Sequence, residues 1–350
     1  MLRYFSIVLV LSSPATLTAK DLRFQLITNV PGQRVFFVSE LSEWNDSTYK
    51  MDENTPGNYS LILPKPWLPK LRYKFIVDGK WIIDPTNSEI ESDGYGGYNS
   101  VIKNAEFRED PLLRAQDGVP QWKHSALKIR DFEGDMRTII ILSPPASFHK
   151  KRFVTAYFHD GQDYLDRAGI ANLVANLSIK QSMPAIAAVL ISPKDRRAEY
   201  ALTERSELYA KFLAENVVSV VEDKLLTNEK ITSRVLIGPS LGGLITTYIA
   251  LRYSHIFGFA ASQSGSFQIN TQKILALLER PAYQGSPLHL FHDIGLYEGP
   301  NILEANRKVY KVAKASGYDI AYHELPTIHQ WVTWRNRLSP IFQYFFENTP

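Results

Sequence analysis

Two rhythms of apolar and polar positions divide the chain. From about Leu22 to Ile102, short alternating runs are separated by turn signals. Arg34–Val38, Tyr59–Leu63 and Tyr73–Val77 read as strands, and Asp78-Gly79 turns the last of them into Lys80–Ile83. An Asp-Gly pair between apolar runs predicts a tight hairpin, because both central residues must accept positive φ. Strands of this length and spacing predict a small β-sandwich over residues 20–104. After about Gly118 the rhythm changes. Apolar runs at Phe153–Phe158, Ala185–Ile191, Arg234–Ile237 and Leu288–Phe291 alternate with longer segments. In Leu208–Leu226, Leu244–Tyr253 and Ile302–Ala315 the apolar residues recur near the helical period. Unbroken apolar strands between such helices predict a mostly parallel sheet covered on both faces, hence an α/β domain over residues 121–350. Residues 105–120, with Pro111, Pro120 and several charges, read as the linker.

The first residues follow neither rhythm. Met1-Leu2-Arg3 gives a positive start, Tyr4–Leu11 an apolar stretch, and small or polar residues follow as far as Ala19. This is the layout of a signal peptide, over residues 1–19, and it is too short to span a bilayer. A cut after Ala15, with Ser13 at −3, fits better than one after Ala19, where Leu17 falls at −3. The expected location is periplasmic or secreted.

Composition narrows the chemistry. With 350 residues, 45% hydrophobic and 21% charged, the chain is neither disordered nor a polytopic membrane protein. A net charge of +3 without a basic run argues against a nucleic-acid partner. There is no cysteine. Thiolate nucleophiles, disulfides and Cys-ligated zinc are thereby excluded, leaving hydroxyls, carboxylates, imidazoles and amides.

Gly238-Pro239-Ser240-Leu241-Gly242 matches G-x-S-x-G and lies between an apolar strand and a helical segment. The pattern alone arises by chance in about one chain in eight of this length, so the strand–turn–helix setting carries the weight. There Ser240 is the candidate nucleophile, and the Leu241 N–H can donate to an oxyanion. A serine needs a general base, and in this order of elements the base lies on a late loop. Of the histidines after Ser240, His255 ends a helical segment, and His289, His292 and His323 lie in or beside strands. His329 alone follows the last expected strand, Asp319–Glu324. The acid should follow the strand before that, where both Asp293 and Glu298 qualify by position. The loop His159-Asp160-Gly161-Gln162 offers the Gln162 N–H as the second oxyanion donor.

These motifs, with Ser262-Gln263-Ser264-Gly265-Ser266-Phe267, Gly295-Leu296-Tyr297-Glu298, Asn306 and His329 through Trp334-Arg335, resemble the esterase D-like branch of the α/β-hydrolases, and within it the enterochelin (ferric enterobactin) esterases. The resemblance covers about Gln121 to Phe346. It implies an α/β-hydrolase fold, assigns the acid to Glu298, and places the oxyanion donors at Gln162 and Leu241. One departure is Thr327-Ile328-His329-Gln330, where that family usually carries Gly-Gly-His-Asp. Trp331, Trp334 and Arg335, beside the base, are the candidate substrate contacts; packing beneath the base loop is the other role open to the tryptophans. The N-terminal part resembles glycogen-binding modules of the immunoglobulin-like E-set class, through Leu41–Asn45, Tyr73–Trp81, Asp84-Pro85 and Gly97–Ile102. That resemblance implies sugar contacts at Trp44, Lys74, Trp81 and Asn99, with indole faces stacking on rings and Lys and Asn bonding hydroxyls. A purely structural sandwich accounts for the same residues.

The expected function is an exported serine carboxylic-ester hydrolase acting on a small-molecule ester, with no metal or organic cofactor. Siderophore esters come first. Acylated sugars of the feruloyl or acetyl type, acyl transfer to a sugar, and a non-catalytic glycan-binding protein on a hydrolase scaffold are the alternatives.

Overall fold

The computed structural model describes residues 21–145, 148, 153–179, 184–225, 233–280 and 288–347. The expected signal peptide, 1–19, lies outside the described residues.

Nine strands form the N-terminal unit: β1 Asp21–Ile27, β2 Val35–Ser39, β3 Tyr49–Lys50, β4 Asp52–Thr55, β5 Asn58–Pro64, β6 Lys70–Val77, β7 Lys80–Ile82, β8 Ile90–Ser92 and β9 Tyr98–Lys103. One sheet runs β1-β5-β4 and the other β3-β2-β6-β9-β8, with β7 paired to β6. Alternation along β6 sends Leu71, Tyr73 and Phe75 into the space between the sheets, where they meet Phe24, Phe37 and Tyr59. Asp78 at φ 45° and Gly79 at φ 85° make the expected hairpin turn, with Val77 opposite Lys80.

The second unit is one eight-stranded sheet: β10 Lys123–Arg130, β11 Met136–Ser143, β12 Phe153–His159, β13 Ala185–Ile191, β14 Arg234–Pro239, β15 Phe259–Gln263, β16 His289–Gly295 and β17 Asp319–Leu325. Its order is β10-β11-β13-β12-β14-β15-β16-β17. The pairs from β13 to β17 are parallel, whereas β10 and β11 join antiparallel. The helices are α1 Gly161–Arg167, α2 Ile170–Ile179, α3 Arg196–Tyr200, α4 Glu204–Lys211, α5 Val218–Leu225, α6 Leu241–Arg252, α7 Thr271–Leu278, α8 Pro300–Ala315, α9 Trp331–Arg335 and α10 Leu338–Glu347. A π-helical stretch, Phe212–Val217, joins α4 to α5 where one helix is expected, and its wide turn puts Phe212, Leu213, Ala214 and Val217 in the core.

The central strands read as unbroken apolar runs because both of their faces are buried. Tyr157 and Leu236 face one core with α6, while Ala156, Phe158, Val235 and Ile237 face the other with α2 and α10. Among the described residues, no helix is long and apolar enough to cross a membrane.

The segment expected as a linker is ordered against the α/β domain. A short turn at Pro111–Leu113 buries Leu113 in the core that holds α2. Asn176 of α2 donates to the Leu112 and Arg114 carbonyls at 2.8 and 2.9 Å, and Asn172 to that of Leu113 at 3.1 Å. Just beyond it, the Trp122 indole N–H donates to the Ile186 carbonyl at 2.7 Å. Two helix asparagines capturing backbone carbonyls turn a proline-bearing tether into a fixed strap.

Candidate active site

The chain leaves β12 for β13 on one side and reaches β14 on the other, so the ends of β12 and β14 meet at a topological switch point. Parallel sheets open their binding crevices at such points. Gln162, expected in a loop, lies in the first turn of α1, which starts directly after β12, and Ser240 follows β14.

Ser240 has φ 58° and ψ −122°, a strained conformation for a residue with a side chain. Its neighbours must be small. A Cβ on Gly238 would lie 2.4 Å from the Gly242 carbonyl oxygen, and one on Gly243 would lie 2.6 Å from Ser262 Oγ. The glycines therefore let the strand turn into α6 within one residue and leave the serine hydroxyl projecting.

Three loops bring their side chains to that hydroxyl. His329 Nε2 lies 2.9 Å from Ser240 Oγ, and His329 Nδ1 lies 2.8 Å from Glu298 Oε2. The other oxygen of Glu298 accepts from Ser264 Oγ at 2.6 Å and from the Gly295 N–H at 2.7 Å. Ser264 in turn accepts from the Trp334 indole N–H at 2.9 Å. The Trp334 ring meets the His329 ring edge-on, 4.9 Å between centroids. Burial is graded along this chain. The Glu298 side chain is fully covered, and that of His329 is 30% exposed. Ser266 Oγ is a further neighbour of Ser240 Oγ at 3.2 Å. Sequence reasoning singled out neither Ser264 nor Ser266 by role; their place in a quoted motif was the only signal.

The other acid left open by position behaves differently. Asp293 is buried in β16, bonds Arg337 at 3.4 Å, and is pushed up to about 6 by burial, with Arg337 pulling the other way. Three other histidines are held neutral: burial pushes His159 and His292 down to about 3 and His323 to about 4.

The Gln162 N–H, the candidate second oxyanion donor, donates to Ser192 Oγ at 3.1 Å, a partner that sequence reasoning missed. Leu241 opens α6 directly after Ser240. Asp160, at φ 61°, accepts two bonds of 2.8 Å from Arg196, whose guanidinium also reaches the Pro239 carbonyl at 3.3 Å. One arginine thus ties the start of α1 to the serine turn.

The candidate substrate residues divide. Trp331 is half-buried between Tyr164 and Trp334, at ring distances of 5.1 and 5.2 Å. Trp334 is buried beside the His329 ring. Arg335 bonds the Arg167 carbonyl at 3.2 Å and Glu109 at 2.5 Å, and neither partner belongs to the loops carrying Ser240, Glu298 or His329.

In the sandwich, the register puts Trp81 opposite Ile76, and strand alternation puts Ile76 and Lys74 on the face away from the core. Asn99, opposite Glu91, shares that face. Trp81 is 48% exposed, Asn99 is buried, and Lys74 is bound by Asp93 at 2.7 Å. Trp44 follows the end of β2 at φ 60°. Among the described residues, the acidic trio Asp131, Glu133 and Asp135 could in principle hold a metal. The Lys194 ammonium already lies 2.5 Å from Asp131 and 2.6 Å from Asp135 and supplies the positive charge there.

Comparison with known proteins fits this geometry. A family model described as "Putative esterase" matches residues 131–345. The "Uncharacterized protein YbbA" of Bacillus subtilis (strain 168) is 23% identical over 205 residues, 53% of this chain and 80% of that protein. The enterochelin esterase of Shigella flexneri superposes with a TM-score of 0.64 at 17% identity, covering 93% of this chain and 92% of that one. A ferulic acid esterase gives 0.52 at 14% identity, covering 65% of this chain and 99% of its own. The two structural likenesses show a shared fold, the first across both domains and the second over a share no larger than the α/β domain. Because the family model spans more than half of the chain and contains every loop of the serine site, the chain belongs to this esterase family and is a carboxylic ester hydrolase.

Proposed function

We propose that the hydrolase works through a Ser240–His329–Glu298 triad on siderophore esters of the enterochelin type. The supporting observation is the unbroken set of bonds from Glu298 Oε2 through both nitrogens of His329 to Ser240 Oγ. His329 takes the serine proton as Oγ attacks the ester carbonyl, while Glu298 holds the ring and stabilises the imidazolium. The Leu241 and Gln162 N–H groups receive the oxyanion, the latter exchanging the Ser192 hydroxyl for substrate oxygen. His329 then protonates the leaving alcohol, and water releases the acyl group by the same steps in reverse order. These steps call for no metal or organic cofactor.

The two-domain likeness to the Shigella flexneri protein favours a siderophore ester, and the half-buried indole of Trp331, packed on the Trp334 ring that meets His329, suits an aromatic acyl group. A second reading, cleavage or transfer of feruloyl or acetyl groups on sugars, draws on the likeness of the α/β domain to a ferulic acid esterase. A panel of catecholate trilactones, feruloyl sugars and acetyl sugars, scored for turnover and for acylated products, decides between them. Fastest cleavage of the trilactone is expected. Ser240→Ala should lower kcat by about 10⁴-fold or more on every substrate in the panel. Equal rates for wild type and Ser240→Ala would defeat the triad.

The hydrolysis is assigned to the periplasm or the exterior, on the charged, apolar and small-residue layout of residues 1–19. Cell fractionation tests this: the full chain should leave the cytoplasm, and a chain starting at Lys20 should stay.

A further inference from the structure

The sandwich core is not completed by sandwich residues alone. Tyr297 and Ile328, both from the α/β domain, lie in the same buried cluster as Phe24, Phe37, Leu63 and Leu68. Each is the residue immediately before a member of the site: Tyr297 precedes Glu298, and Ile328 precedes His329. They are 7% and 8% exposed. Bonds fasten the same two loops to one strand end of the sandwich and the segment after it. The Tyr297 hydroxyl donates to the Pro64 carbonyl, and the Trp67 N–H donates to the Pro326 carbonyl at 2.7 Å. The loops are also tied to each other, with the Leu296 N–H on the Leu325 carbonyl at 2.7 Å and the Tyr297 N–H on that of Thr327 at 3.2 Å.

We infer that the N-terminal sandwich is a positioning element of the esterase site, acting through Tyr297 and Ile328 on the acid and base that follow them. This rests on the triad reading above. Glu298 and His329 sit on two irregular loops, and loops hold a side chain less firmly than helices or strands do. Here each loop has two faces. One side chain enters the sandwich core, and the next enters the catalytic bond chain. Packing between domains therefore fixes where the carboxylate and imidazole stand relative to Ser240. Tyr297 and Ile328 touch neither substrate nor reacting atoms; they are positioning residues.

The test uses the full chain and p-nitrophenyl butyrate, with kcat, KM and Tm measured for Ile328→Ala, Ile328→Val and Tyr297→Phe. Misplacing reacting groups by part of an ångström should lower kcat about tenfold in Ile328→Ala and about threefold in Tyr297→Phe, with KM within about twofold. Ile328→Val, which refills most of the space, should recover kcat to within about twofold of wild type. Variants that lose Tm but keep kcat at a temperature where they are folded would overturn the inference, since that is the signature of a sandwich that only stabilises. If Ile328→Ala does not fold, Tyr297→Phe and Ile328→Val decide on the same criterion. Ser240→Ala runs alongside: a wild-type rate there removes the triad reading and this inference with it, whereas a dead Ser240→Ala with fully active Ile328→Ala and Tyr297→Phe removes this inference alone.

Discussion

On the outer face of the sandwich, Lys70 and Arg72 reach Glu91, Arg72 also reaches Glu40, and Lys74 holds Asp93. In the esterase site the bonds run from Trp334 through Ser264 and Glu298 to His329 and reach Ser240, with the Gly295 N–H joining at Glu298 and Ser266 Oγ at the serine. The first network is closed, each charge being neutralised by a neighbour on the same face. Partly exposed pairs of this kind contribute only about 0–1 kcal/mol each. The second network begins in the covered interior and ends at a group that reaches solvent. Buried bonds there set an orientation and deliver it to one hydroxyl. Number of polar contacts does not separate the two regions; direction does.

A directed chain predicts losses that shrink with distance from the nucleophile. Next after Ser240 itself, Glu298→Gln should cost about 10³-fold in kcat, because an amide can present the wrong group to Nδ1 and stabilises imidazolium poorly. Steady-state kinetics on p-nitrophenyl butyrate measure it, and a loss below tenfold would mean the acid contributes little. Ser264→Ala removes one of the two donors that hold Glu298 Oε1 and leaves the Gly295 N–H in place. Its expected cost is about tenfold in kcat with KM nearly unchanged. A drop as large as that of Glu298→Gln would place Ser264 on a par with the triad and break the gradient.

Much of this site could be read from the chain, for physical reasons. The glycines around Ser240 answer a local demand, a turn too tight for side chains, so the motif and its strand–helix flanks mark it. His329 is marked by topology, since only one late loop carries a histidine. Position could not separate Asp293 from Glu298, five residues apart. What distinguishes them is a set of contacts: Arg337 on one carboxylate, Ser264, Gly295 and His329 on the other. The role of Ser264, the engagement of Gln162 by Ser192, and the insertion of Tyr297 and Ile328 into the sandwich also link residues 30 or more positions apart, and such contacts leave no periodic trace. The strands β10 and β11 went unread where Lys123–Arg130 mixes charged and apolar residues at the edge of the sheet. Prolines and charges, both local properties, mark residues 105–120 as a linker, whereas Asn172 and Asn176 hold it against the α/β domain.

The closed network on the sandwich makes a sharp statement about sugars. Lys74 is paired with Asp93 and mostly covered, and Asn99 is buried, so of the four candidates Trp81 is the exposed one and Trp44 is half-buried. Insoluble starch should therefore leave the full chain in solution. Depletion that Trp44→Ala/Trp81→Ala abolishes would show that the face opens for glucan, and the contrast between the regions would fail.

The smallest effect is also the one that separates the two regions by pH. Asp293, buried in β16, is raised from its ordinary 3.8 to about 6, first by burial. Asp93 in the sandwich is lowered to about 2, first by Lys74 and then by the Tyr95 and Gly97 N–H groups. Their contributions have opposite signs. A raised carboxyl keeps its proton in the folded state after the unfolded chain has lost it, so folding stability falls as pH rises from about 4 to about 6. A lowered carboxyl stabilises above its unfolded value, and that stability disappears as pH drops toward 2. Between about pH 5 and 6, then, Asp293 bends the stability curve while Asp93 stays ionised in both states. About two pH units correspond to roughly 3 kcal/mol, the most that Asp293 can contribute. Thermal melts at intervals across this window should show wild type losing several degrees in Tm relative to Asp293→Asn, whose amide cannot ionise. Asp93→Asn should run parallel to wild type from about pH 5 to 6 and diverge from it below about pH 5. Parallel curves for Asp293→Asn and wild type would mean that Arg337 fully compensates the buried charge, and the interior behind Glu298 would then be as closed a network as the sandwich face.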